Sequence, residues 1–267
     1  MKINISVLLN PSYSLVFVII IAFLPNYCSC IKHETQNNSR VENRFSQAVA
    51  TWYGDPNGAG SVGGACGYRF SVEKPPFSAM ISAGNANLFQ SGLGCGTCYE
   101  VKCTENSACS GIPVTVTITD ECPCDSGNVH FDLSGVAFGA MAKPGKADVL
   151  RQAGTFNVEY RRVPCNYPNT TLAFDVDPGS NPNYFACVIK YLNGDGDLSS
   201  VELQTVNLNR DVWLPMQHSW GAIWKIDLAS GVKAPFSIRL TTLQTKEVIV
   251  AENVIPADWE AGKSYES

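Results

Sequence analysis

Nine of the eleven cysteines lie beyond residue 30, and eight of those fall between Cys66 and Cys165, with Cys187 alone after them. In an exported chain that distribution reads as one disulfide-stapled domain followed by a second held by its hydrophobic core. The opening residues argue for export. Lys2 precedes the apolar run Leu15–Leu24, shorter than the roughly 20 residues that span a bilayer, and the run leads into Pro25 and the small-residue stretch Cys28-Ser29-Cys30. The expected organisation is a signal peptide over 1–30, a polar flexible lead over 31–46, a first domain over 47–167 and a second over 168–267, a division that 267 residues accommodate comfortably. Asn37 and Asn169 open glycosylation sequons compatible with that route. The net charge of −5 is dispersed, with no basic stripe that would favour nucleic acid, and nothing after the leader is apolar enough for integral membrane association.

The chemistry concentrates between Val114 and Leu133. Val114, Val116 and Ile118 share one face of an extended strand, and strict alternation puts Asp120 at the end of that apolar face. Farther on, Val129, Phe131 and Leu133 take one face while His130 and Asp132 share the other. Two carboxylates and an imidazole over a β core point to a polar groove. The competing reading has Asp120 bonding the backbone of the turn that follows and His130 with Asp132 forming an ordinary solvated face; alternation leaves both open.

Cys95-Gly-Thr-Cys98 would suggest redox chemistry or zinc in the cytosol, but among so many cysteines of an exported chain structural disulfides are the better reading. The same argument disfavours zinc at Cys122, Cys124 and His130, so neither metal nor cofactor is expected. Cys187 lies among Phe185, Ile189 and Tyr191 and is expected to be a buried free thiol. From Leu172 to Ile255 six short alternating segments with turns between them predict an antiparallel β-sandwich. Asn193-Gly-Asp-Gly-Asp197 alternates carboxylates as calcium loops do, yet lacks the glycine and closing glutamate of an EF-hand, and is read as a hairpin turn. Ala137–Lys143 is the one short helix expected.

Seven stretches, in order along the chain, strongly resemble the plant β-expansins, relatives of the group-1 grass pollen allergens. They are Thr51-Trp-Tyr-Gly54, Gly63-Gly-Ala-Cys-Gly-Tyr68, Cys95-Gly-Thr-Cys-Tyr99, Thr119-Asp-Glu-Cys122, His130-Phe-Asp-Leu-Ser-Gly135, Ser219-Trp-Gly-Ala-Ile-Trp224 and Pro235-Phe-Ser-Ile-Arg239. The resemblance implies an all-β chain: a six-stranded double-psi β-barrel similar to family-45 endoglucanases, then an immunoglobulin-like β-sandwich that binds polysaccharide. It implies a monomer secreted to the plant cell wall that binds cellulose, xylan or other matrix glycans and loosens their contacts without hydrolysis. It pairs Cys66 with Cys95, Cys98 with Cys165 and Cys103 with Cys109, and leaves Cys122 and Cys124 unassigned. Asp132 matches the catalytic acid of the endoglucanases, and Thr51, Tyr53, Asp120 and His130 line the groove with it; Trp52 is counted with Thr51 and Tyr53 as substrate-binding. Tyr184 and Trp220 match an aromatic platform. Alternation makes Tyr184 outward-facing but would send Trp220 inward with Trp224 and Ile226, so a bulge or loop near Gly221 is required to surface it.

Two other functions remain in view. An inverting endo-glycoside hydrolase would need a base beside Asp132; Asp55 has the right T-x-Y-x-D spacing, although Asp55-Pro-Asn-Gly58 is a strong turn signature. A passive polysaccharide-binding module would keep the platform and leave the groove idle.

Overall fold

The computed structural model describes residues 44–124, 127–209 and 211–267. The expected signal peptide with Cys28 and Cys30, the sequon at Asn37 and nearly all of the lead lie outside the described residues. Two residues of that lead belong to the fold: Ser46 opens the first strand, and the Phe45 ring lies 4.0 Å beneath Lys102 Nζ and 4.8 Å from the Arg161 guanidinium.

Six strands close a barrel: β1 (Ser46–Tyr53), β2 (Ile81–Gly84), β3 (Cys98–Lys102), β4 (Val114–Glu121), β5 (His130–Ser134) and β6 (Phe156–Val163). Around the barrel the order is β1-β5-β2-β4-β3-β6, with β1–β5 and β2–β4 parallel and the remaining pairs antiparallel. Alternation works here as it should, sending Ala48, Ala50, Val101, Val116, Ile118, Phe131, Leu133 and Val158 into one apolar cluster. Among the described residues three short α-helices appear where one was expected: α1 (Ala86–Phe89), α2 (Gly135–Ala140) and α3 (Ala147–Ala153). Ser134 caps α2, its Oγ accepting from Ala137 N–H at 3.0 Å.

The second half holds β7 (Ala173–Val176), β8 (Tyr184–Lys190), β9 (Leu198–Thr205), β10 (Leu214–Pro215), β11 (Gln217–His218), β12 (Ile223–Asp227), β13 (Phe236–Thr242), β14 (Val248–Ile255) and β15 (Ser264–Glu266). They form two antiparallel sheets, β10-β9-β13-β14 and β11-β12-β8-β7-β15. Phe174, Phe185, Leu203, Trp224, Phe236, Ile238 and Leu240 fill the space between them, with the Cys187 thiol fully buried in the same cluster. Burial drives that thiol far above its usual range, which keeps it neutral and inert.

The hairpin expected at Asn193–Asp197 is not one. β8 and β9 belong to different sheets, so the segment crosses between them, and it also clasps the barrel. Cys165 and Gly194 exchange backbone hydrogen bonds (2.7 and 3.0 Å), Arg162 Nη2 reaches the Asp197 carboxylate at 2.7 Å and the Asp195 carbonyl at 2.8 Å, and the Asp195 side chain accepts from the Gln244 and Thr245 amides. A second junction is apolar: Tyr68, Val72 and Phe77 from the barrel share a buried cluster with Ala186, Val188, Ala222 and Ile223 of the five-stranded sheet.

Among the described residues the disulfides are Cys66–Cys95, Cys98–Cys165, Cys103–Cys109 and Cys122–Cys124. With both sulfurs of the last pair bonded to each other, the remote zinc reading of Cys122, Cys124 and His130 loses its thiolates.

Candidate polysaccharide-binding surface

Strand register places the polar residues in a row across four neighbouring strands. Thr51 on β1 lies opposite Asp132 on β5, Asp132 opposite Ala83 on β2, and Ala83 opposite Asp120 on β4. The two carboxylates therefore stand two strand spacings apart, roughly 9.6 Å along the backbone, with the small buried Ala83 as floor between them. His130 is two residues from Asp132 on the same outward face, while Phe131 and Leu133 point into the barrel.

Thr51 links the two members of that face. Its hydroxyl donates to Asp132 Oδ1 at 2.6 Å, and since a hydroxyl has one proton, the His130 Nε2 contact at 2.9 Å is one in which His130 donates. The Asp132 carboxyl is held above its ordinary range: burial raises it, the Thr51 hydrogen bond and His130 pull it back, and the Asp120 charge adds to the rise. Tyr53, two residues along β1 from Thr51, has a buried hydroxyl without a well-formed hydrogen bond. Burial, with Asp120 and Asp132 adding to it and the Ser61 backbone opposing, pushes its phenol far up, so it stays a neutral donor.

Asp120 owes its position to a bulge. Ser82 pairs with Ile118 but Ala83 with Asp120, so Thr119 is an extra residue on β4 and Asp120 turns out of the barrel core that strict alternation assigns it. The turn contact of the competing reading is present, and a contact to the loop beside the groove stands with it. Asp120 Oδ1 accepts from the Glu121 amide at 2.8 Å, the local turn contact, and from the Ala65 amide at 2.7 Å, which draws the Gly63–Cys66 loop over the groove. Gly64 permits this approach: a Cβ there would lie 2.7 Å from the Thr119 carbonyl.

Trp52 is a correction. Alternation turns it away from Thr51 and Tyr53, and its ring packs beside Phe138 against the barrel cluster while Nε1–H donates to the Arg151 carbonyl at 3.0 Å. It is half-buried and supports the groove wall from behind, on the face opposite Thr51 and Tyr53. Asp55 sits in the turn that its spacing with Gly58 predicts, its carbonyl accepting from Gly58 N–H at 3.0 Å.

On the sandwich, Trp220 is 51% exposed, in the loop just ahead of β12. Gly221, at φ +54, supplies the break in alternation, and it is pressed so closely on the barrel that a Cβ would lie 2.3 Å from the Ala65 carbonyl. Ala222 N–H completes the seat by donating to Cys66 O at 3.0 Å. One segment, Ala65–Cys66, thus touches Asp120 through its amide and the Trp220 loop through its carbonyls. Tyr184 opens β8 opposite Asp227, on the outer sheet face with Ala186 and Val188, at the rim of the apolar junction with the barrel. Its phenol is raised, by burial first and then by Asp177 and Asp227.

Sequence reasoning overlooked Ala83 and Asn85. Asn85 is buried, donating through Nδ2 to Asn128 O at 2.6 Å and through its amide to His130 O at 3.1 Å, so it braces the entry to β5. A lone asparagine between small residues carries no signal for that role.

Two family models match the chain: one described as lytic transglycolase over residues 81–160, on the barrel, and the Expansin C-terminal domain over residues 172–256, on the sandwich. Expansin-B4 of Arabidopsis thaliana is 53% identical over 244 residues, covering 90% of this chain and 91% of the relative. The chain belongs to the plant β-expansins. Pollen allergen Phl p 1 of Phleum pratense, 50% identical, covers 84% of this β-expansin and 85% of its own length. Among solved structures, a Clavibacter michiganensis expansin mutant in complex with cellohexaose superposes with a TM-score of 0.63 at 21% identity, over 84% of this chain and 96% of that one. At that identity the likeness concerns the fold: the double-psi barrel followed by a sandwich.

Proposed function

We propose that this β-expansin is secreted to the wall, where it loosens non-covalent contacts between cellulose and matrix glycans by gripping a chain along one surface from Asp132 to Trp220 and Tyr184, without cutting it. The supporting observation is the Ala65–Cys66 segment, which ties the Asp120 end of the groove directly to the Trp220 loop. Indole and phenol faces stack on the apolar faces of sugar rings, while Asp132, Thr51 and His130 address hydroxyls and Tyr53 lines the groove beside them. The domains over 47–167 and 168–267 would act as one rigid clamp, so binding energy on the sandwich holds the polymer against the groove. The bacterial expansin that accommodates cellohexaose on the same fold agrees with this reading.

Hydrolysis by inversion needs an acid and a free base about 6.5–9.5 Å apart. Asp132 has the environment of an acid. Asp120 is a poor base, because its Oδ1 already takes two backbone amides, and Asp55 is an exposed turn residue. The test is creep of heat-killed walls under load. Asp132→Ala is expected to abolish extension with binding to cellulose and xylan retained, whereas Tyr184→Ala lowers binding about tenfold, as losing one stacking contact implies. Reducing-sugar release that follows Asp132, or full extension by Asp132→Ala, would overturn the reading.

A further inference from the structure

The four disulfides are not enclosed alike. Cys66, Cys95, Cys98 and Cys165 lie in the apolar junction cluster, and Cys103 and Cys109 lie in the barrel cluster. Cys122 and Cys124 belong to neither. Seven of the eight bonded cysteines are buried, whereas Cys124 is half-exposed and Pro123, between it and Cys122, is exposed. The enclosed pairs are 29, 67 and 6 residues apart in sequence, against 2 for Cys122 and Cys124. Stabilisation through the entropy of the unfolded chain falls with the length of the closed loop, so this bond contributes least to the fold and can open without disturbing the others.

Its place is the end of the groove floor. On one side of the end of β2, Cys122 N–H donates to Gly84 O at 3.0 Å; on the other, Asn85 donates through Nδ2 to Asn128 O at 2.6 Å and through its amide to His130 O at 3.1 Å. The chain therefore leaves β4 and enters β5 on either side of Gly84 and Asn85, just past the Ala83 floor between Asp120 and Asp132. Exchange requires a thiolate to reach one sulfur of the bond, so access decides which of several disulfides in a folded protein reacts. Cys124 is the accessible partner, which makes its Sγ the atom attacked and Cys122 the leaving group.

We propose that Cys122–Cys124 is a thiol–disulfide exchange site that takes small thiols of the glutathione class at the rim of the groove. The incoming thiolate bonds Cys124 Sγ, the bond between Cys122 and Cys124 breaks, and Cys122 Sγ leaves with the electron pair and takes up the proton that the incoming thiol lost. A second small thiol then attacks the sulfur of the first, releasing the oxidised thiol dimer and Cys124 as a thiol, so that two electrons have passed from two small thiols to the pair. The full protein would be incubated with reduced glutathione at neutral pH, quenched at intervals with iodoacetamide and mapped by peptide mass spectrometry. Glutathione on Cys124 with label on Cys122, and then label on both, is expected at a rate at least about tenfold above that of the six enclosed cysteines, while circular dichroism stays native. Cys122→Ala with Cys124→Ala should unfold near the native guanidinium midpoint and lose the fast phase. Label on either cysteine before glutathione is added, no exchange there while the fold is native, another pair opening first, all four opening at one rate, or a fast phase surviving in the double variant would overturn the site. No glycan enters the measurement: exchange without wall extension would sink the proposed function alone, and wall extension with this disulfide inert would sink the exchange site alone.

Discussion

The barrel and the sandwich bury comparable apolar clusters, yet only the barrel is cross-linked: four disulfides lie in or close against it, while the sandwich core contains a single unpaired thiol. The difference follows what each carries. The barrel exposes a row of groups that do not favour burial, with Tyr53 and Asp132 pushed away from their ordinary ionisation and the glycine-rich Gly63–Cys66 loop stretched over the groove. Such a site loosens its surroundings, and covalent ties restore order without requiring more core. The sandwich carries Tyr184 on a sheet face and Trp220 in a loop beside it, and its core is held by packing alone. Cross-links here accompany the polar groove, and a plain hydrophobic core accompanies the proposed aromatic platform.

Removing the longest tie should break that contrast most severely. Cys98 and Cys165 are 67 residues apart, and loop-closure entropy of that size gives about 4 kcal/mol. Cys98→Ser with Cys165→Ser is expected to lose that much in guanidinium unfolding followed by tryptophan fluorescence, whereas Cys187→Ala in the sandwich should cost far less. A loss under about 1 kcal/mol in the double variant would mean that the barrel holds itself together as the sandwich does.

The clasp between the halves comes next. The Asp197 side chain is 1% exposed against Arg162, and burial holds its carboxyl above the usual range despite that partner. Breaking such a pair leaves a charge uncompensated, so Asp197→Ala should cost about 3 kcal/mol, whereas replacing both partners with Leu and Met should cost much less. If the single and double variants are equally unstable, the junction depends on backbone contacts such as Cys165–Gly194 and the ion pair contributes little.

Local patterns made part of this legible in advance. Alternation along Val129–Leu133 identified the face of His130 and Asp132, and the segment pattern after Leu172 identified the sandwich. The same rule assigns Trp52 inward, once Thr51 and Tyr53 are taken to face the groove. What local patterns lack is partnership. Nothing in Thr119 announces a bulge, because a bulge exists only relative to the neighbouring strand. Asn193–Asp197 has the chemistry of a tight turn, but turn residues do not say whether the next strand joins the same sheet. Trp220 is surfaced by Gly221, whose conformation is set by the barrel carbonyl pressed against it.

The smallest effect gives the sharpest comparison, because it separates the two halves by pH alone. Removing the Thr51 hydroxyl with Thr51→Val takes away a hydrogen bond that favours the charged form of Asp132, so the carboxyl, already raised, should rise further. A carboxyl raised by folding stabilises the native state in its protonated form, and that contribution is lost as pH increases through the folded-state pKa. Wall extension by the native protein is accordingly expected to decline from acid toward neutral pH as Asp132 ionises, and Thr51→Val should carry the same decline to higher pH. Adhesion to cellulose through Tyr184 and Trp220 should stay level across that range, since neither ring titrates there. If extension and adhesion decline together, or the Thr51→Val profile overlies the native one, then Asp132 is not the group that sets the groove's response, and the division between a titrating barrel and an indifferent sandwich fails.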